Sequence, residues 1–99
     1  MKITKNYNEK ELLLIIEGRM DTITSQELEK EINDELGNFE SLTLDLNDLK
    51  YISSAGLRVL IVTQKKLDSD NIPFTIINVN GTVREIFEMS GFDKIFTIK

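Results

Sequence analysis

Ser53 and Ser54 stand three and two residues ahead of Gly56 in the stretch Tyr-Ile-Ser-Ser-Ala-Gly-Leu-Arg. The spacing of the residues that follow is helical, so these hydroxyls lie at a helix start. Two kinds of chemistry suit that place. A serine oxygen there accepts a hydrogen bond from an orphan helix amide. A serine offered on an exposed loop is also a substrate for a kinase, and its phosphate would meet unpaired amides and the positive end of the helix dipole. With two serines, one can cap while the other is presented. Gly56 leaves the first turn bare and open to close approach, at a cost to the helix of up to about 1 kcal/mol relative to alanine. Packing would also account for it. Arg58 lies one turn after Ser54, and the two can face each other. It would steady a phosphate there or remain a solvated surface charge.

Other chemistries are poorly provided for. The chain has 99 residues, with no histidine and no cysteine. That removes the usual general base near neutral pH, the commonest metal ligand, and thiol and disulfide chemistry. The pair Ser53-Ser54 lacks a nucleophile-elbow pattern. The five glycines are too scattered for a phosphate-binding loop. A binding protein without catalytic residues, cofactor or metal is expected. The net charge is −5, from 12 basic and 17 acidic residues. This argues against nucleic acid and anionic membrane as partners. No apolar stretch suggests a signal peptide or a membrane span. A soluble, cytoplasmic protein is expected, with residues 1–99 forming a single domain.

The elements that must position the serines follow from hydrophobic spacing. Ile3 begins a short strand, Asn8, Glu9 and Lys10 supply a turn, and Leu12 to Ile16 form an unbroken apolar run. Such a run is expected of a central strand buried on both faces. A loop from Gly18 to Ile23 then leads into a helix. Thr24 and Glu27 form a capping box there, Ile23 and Leu28 a hydrophobic staple, and Gly37 the stop. Leu28, Ile32 and Leu36 make its apolar stripe. The alternation of Leu42, Leu44 and Leu46 predicts a strand with one buried face. A helix follows over about Ser54–Ser69. The stretch Pro73–Asn80 is another strand, Asn80-Gly81 a turn, and Thr82 the cap of a helix that ends at Gly91. Lys94 to Lys99 close as a strand.

The predicted order is β-β-α-β-α-β-α-β, an α/β fold. Right-handed crossovers give a mixed, mostly parallel β-sheet behind an N-terminal antiparallel hairpin, with helices packed mainly on one face. Three loops then gather at the carboxyl edge: Gly18–Ile23, Asn47–Ser54 and Val79–Thr82.

The segment Leu44–Leu60, LDLNDLKYISSAGLRVL, resembles the signature of STAS domains, and of anti-sigma factor antagonists in particular. The segment GRMDTITSQEL resembles the family's loop with an aspartate before its first helix. VREIFEMSGFDKIF resembles its third helix and the turn after it. The resemblance covers nearly the whole chain in the right order and implies the STAS fold. It also implies a partner switch. The unphosphorylated protein binds an anti-sigma factor that is itself a serine kinase, which frees a sigma factor. Phosphorylation releases the antagonist, and a phosphatase resets it. The phosphoacceptor maps to Ser54, with Ser53 as the neighbouring alternative where the family usually has aspartate. The loop aspartate maps to Asp21, expected to belong to the partner surface beside Ser54 and to neither strand nor helix. Asp21, Thr22, Asn47, Ser53, Ser54, Ala55, Gly56 and Arg58 make up the expected partner-binding set. Many family members add a final helix that this chain does not show after Lys99.

Two rival readings stand beside this one. A phosphoaccepting receiver domain would use Asp45, but it needs an acidic pair after the first strand, and ITKNYN has none. A stand-alone STAS subunit of a lipid-transport or stress-sensing complex would keep the fold and change the partner.

Overall fold

The computed structural model describes all 99 residues. Its elements are β1 (Lys2–Asn8), β2 (Glu11–Met20), α1 (Thr22–Glu35), β3 (Ser41–Asp45), β4 (Leu49–Ile52), α2 (Ser54–Ser69), β5 (Phe74–Ile77), α3 (Gly81–Ser90), a 3-10 turn (Phe92–Lys94) and β6 (Thr97–Ile98). The sheet order is β1-β2-β3-β5-β6. β1 pairs antiparallel with β2, and the remaining pairings are parallel. The predicted α/β architecture is therefore present, with one added strand.

That strand is β4, which the sequence reading took for a connection. It pairs in parallel with the last three residues of β2. β3 pairs with the first half of β2, so β4 continues the same lane after a turn at Leu46–Asp48. The turn is held by Leu49 N–H donating to the Leu46 carbonyl and by Asn47 N–H donating to Asp45 Oδ1. β2 accordingly runs on to Met20, and the expected loop from Gly18 to Ile23 shrinks to the Asp21 corner.

Side chains alternate along β2. Leu12, Leu14, Ile16 and Met20 are sealed under the helices, while Leu13 and Ile15 are half-buried on the other face. The expectation of a strand buried on both faces fails because the helices cover one face only. The core joins those residues to Leu28 and Ile32 of α1, Leu42 and Leu44 of β3, Leu57, Leu60 and Leu67 of α2, and Val83 and Phe87 of α3. Phe74, Phe87, Phe92 and Phe96 form an aromatic group under the C-terminal end of the chain. The edge strand is tied down too: Lys5 Nζ lies 2.6 Å from Glu31 and 2.8 Å from Glu35 of α1, and Tyr7 donates to Glu35 at 2.6 Å.

Helix punctuation differs from expectation at two starts. α1 begins earlier, with Asp21 as its N-cap and Thr24 at the third position of the box. Thr24-Glu27 fits the same pattern on paper, but extension of β2 to Met20 puts the start three residues upstream. Ile23 is then inside the helix and 71 % exposed, so there is no staple with Leu28. α3 begins after Asn80, and Thr82 lies within it. Gly37 follows the end of α1 with a positive φ, and Gly91 ends α3 in the left-handed conformation.

Gly56 explains how α2 meets the sheet. A Cβ there would lie 2.8 Å from Ile52 Cγ1 and 2.8 Å from Met20 Sδ. Both residues are in the core. The bare side of Gly56 thus faces inward, and packing, not access for a partner, requires it. Gly56→Ala should lower stability by about 1–2 kcal/mol in denaturant titration, overpacking outweighing the gain in helix propensity. In a Met20→Ala background the same change should cost less, because the clashing thioether is gone.

Candidate functional site

The three carboxyl-edge segments meet, and backbone and amide hydrogen bonds stitch them together. Ser53 N–H donates to the Met20 carbonyl at 2.8 Å, and Gly18 N–H donates to the Asp48 carbonyl at 3.0 Å. Asn80 Nδ2 donates to Asn47 Oδ1 at 3.3 Å, and Asn78 Nδ2 donates to Asp45 Oδ1 at 3.1 Å. Asp45 is therefore occupied with holding the Asn47 turn and the end of β5.

The two serines divide the roles. Ser53 is the N-cap of α2, in extended backbone, and its Oγ accepts from Gly56 N–H at 3.2 Å. Ser54 is the first helical residue, and it is exposed. No hydrogen bond within the protein engages its hydroxyl, since the capping interaction belongs to Ser53 alone. An aspartate at position 53 would cap equally well, so serine keeps the local geometry without the charge.

Asp21 does more than the sequence suggested. Its Oδ1 accepts from Ile23 N–H at 3.0 Å and from Thr24 N–H at 2.9 Å. The Thr24 hydroxyl accepts from Asp21 N–H at 2.8 Å, completing the box. Asp21 is thus a structural cap that also lies on the surface. Hydrogen bonds from Thr24, its amide first and then its hydroxyl, hold the Asp21 carboxyl below the ordinary carboxylate range. The Ser53–Met20 hydrogen bond puts Asp21 and Ser54 one residue away on either side of it.

The other expected residues distribute as follows. Thr22 and Asn47 are exposed at this edge, Ala55 is half-buried and Gly56 is buried. Arg58 is exposed and forms part of a surface hollow of about 380 Å³, lined by Ser54, Leu57, Arg58, Ile61, Ser90 and Phe92. Ser90 and Phe92 were missed. They lie more than 30 positions from Ser54, at the end of α3 and in the 3-10 turn, and nothing in their spacing relates them to it. Also missed was the Arg19 guanidinium, which sits 4.5 Å from the centre of the Tyr51 ring, across the β2–β4 pairing.

The profile of the STAS domain family matches residues 2–99. The chain belongs to the STAS domain family. Among proteins similar to this STAS chain is BtrV of Bordetella bronchiseptica, named for anti-sigma factor antagonism. It is 34 % identical over 99 residues, covering 99 % of this chain and 85 % of BtrV. The structure of an anti-sigma factor antagonist from Mycobacterium paratuberculosis superimposes with a TM-score of 0.87 at 22 % identity, covering 98 % of this chain and 83 % of that one. The anti-sigma factor antagonist SpoIIAA in its unphosphorylated form gives a TM-score of 0.83 at 15 % identity, over 99 % of this chain and 88 % of that one. These structural likenesses establish the STAS fold. No helix of the chain is long and apolar enough to cross a membrane.

The cap geometry generates a test. Asp21→Ala should lower the melting temperature by a few degrees, and Asp21→Ser should restore most of the loss by supplying a new acceptor. The sign of the pH dependence follows from the lowered carboxyl. The contribution of Asp21 is fully present above the unfolded value of about 3.9 and fades as pH falls through the lower folded value. Melting curves from pH 7 to pH 2 should therefore converge for wild type and Asp21→Ala at the acid end.

Proposed function

We propose that this chain is an anti-sigma factor antagonist whose binding is switched off by phosphorylation of Ser54. The observation that carries the reading is the division of labour between the serines. Ser53 is used as the cap, and Ser54 is left exposed with its hydroxyl free, at the edge where three segments converge. Membership of the STAS family and similarity to a protein named for anti-sigma factor antagonism agree with it.

In this reading the chain is a binding protein, not an enzyme. Its unphosphorylated edge, with Asp21, Thr22, Asn47, Ser54 and Arg58 on the surface, docks on an anti-sigma factor that is also a serine kinase. That engagement frees the sigma factor. The kinase then transfers the γ-phosphoryl group of ATP to Ser54. The Ser54 O–H bond breaks, an O–P bond forms, ADP leaves and the proton passes to solvent. A phosphatase restores the hydroxyl by hydrolysis.

Energetics favour a local effect. Phosphoserine adds about −1.5 to −2 charges at pH 7. At the start of α2 the helix dipole offsets part of this, by roughly 0.3–1 kcal/mol. The fold therefore tolerates the group. A docked partner that closes over Ser54 strips its water, and a buried unpaired charge in an interface costs on the order of 2–5 kcal/mol. At about 1.4 kcal/mol per decade, affinity falls roughly 30-fold to several thousand-fold.

Incubation with the cognate anti-sigma kinase and ATP, followed by peptide mass mapping, should place the phosphate on Ser54. Phosphate on Ser53 alone would contradict the assignment. In titration calorimetry Ser54→Ala should bind the kinase and persist in the complex. Ser54→Asp should bind at least 10-fold more weakly while melting at the wild-type temperature. Wild-type affinity in Ser54→Asp and in the phosphorylated protein would sink the proposed switch.

A further inference from the structure

We propose that Arg58 is the receptor for the phosphoryl group on Ser54, so that the modified side chain folds back into the hollow and does not stand out from the helix. The inference rests on Ser54 being the modified residue, and it adds a phosphate-binding role for one side chain.

Four observations carry it. Ser54 and Arg58 line the same open hollow, between the first turns of α2 and the end of α3 with its 3-10 turn. Residues four apart on a helix are surface neighbours, with Cβ atoms about 5–6 Å apart, well within the reach of an arginine. Of the residues lining the hollow, Arg58 alone carries a charge. Arg58 also has no acidic partner: the protein's ion pairs engage Lys2, Lys5, Lys10 and Lys30 and leave it free. A phosphate on Ser54 thus meets an unpaired guanidinium across the hollow.

The chemistry of the pair fits. A guanidinium presents a planar fork of N–H donors that matches phosphate oxygens two at a time. The Ser90 hydroxyl, also exposed on the hollow, supplies a neutral donor for a remaining oxygen. Phosphorylation then does two things at one place. It adds an anion, and it removes from a partner's reach the only cation the hollow offers.

The test uses protein with phosphoserine encoded at position 54, in wild type and in Arg58→Gln and Arg58→Lys. Arg58 is exposed, so both variants should fold. Phosphorus NMR titration follows the second ionisation of the phosphate, ordinarily near about 6. The wild-type value should lie below that of Arg58→Gln by a few tenths of a pH unit, as expected for an exposed ion pair. Arg58→Lys should fall between. The Arg58 side-chain Nε–H resonance should shift when phosphoserine replaces serine. Superimposable titrations in wild type and Arg58→Gln, with an unmoved Nε–H resonance, would overturn the proposal. Because the phosphoserine is encoded, a kinase that ignores Ser54 would refute the proposed function without touching this result.

Discussion

The site depends on one close approach. The first turn of α2 sits against the ends of β2 and β4 with no room for a single methyl group at Gly56, where Met20 and Ile52 already fill the space. The Ser53–Met20 hydrogen bond locks the same seam from the backbone side. Together they fix where α2 starts. Ser53 is thereby held in the capping position and Ser54 in the exposed one. A shift of one residue in that start would exchange the two roles. The packing of a buried glycine thus decides which hydroxyl stands exposed.

The same seam explains why the edge is built in advance of any partner. Strand ends, helix caps and asparagine side chains satisfy one another across the three segments. Asp21 caps α1 and stands on the surface; Asp45 holds the Asn47 turn and the end of β5. Side chains so employed are costly to move, which favours recognition of a preformed surface. Ser54 and Arg58 have no side-chain partners among these bonds, so a change of charge there leaves the supporting bonds intact.

Much of this was legible in the sequence. Hydrophobic spacing located the hairpin, the three helices and the parallel crossovers, and the start of α2 at Ser54 was read correctly. Three of the errors share a cause. β4 has four residues, and its partner lies some 30 positions earlier in β2, so no local period announces it. Missing β4 shortened β2, and the shortened β2 moved the start of α1 to Thr24. Asp21 then looked like a free loop residue when it is a cap. Leu13 and Ile15 looked doubly buried because a run of leucine and isoleucine does not say that one sheet face carries no helix. The hollow beside Ser54 was beyond reach for the same reason as β4: Ser90 and Phe92 come to it through tertiary packing alone.

The central claim is that the fold presents Ser54 on a rigid edge and that phosphorylation acts there by charge and bulk, without refolding the protein. Amide NMR spectra of the unmodified and phosphorylated protein test it most directly. Local action predicts shifts confined to the segments around Asp21, Asn47 and Asn80, the first turns of α2, and the Ser90–Phe92 turn. Shifts spread through the β-sheet and the core of α1 would contradict it and would make the switch a conformational one.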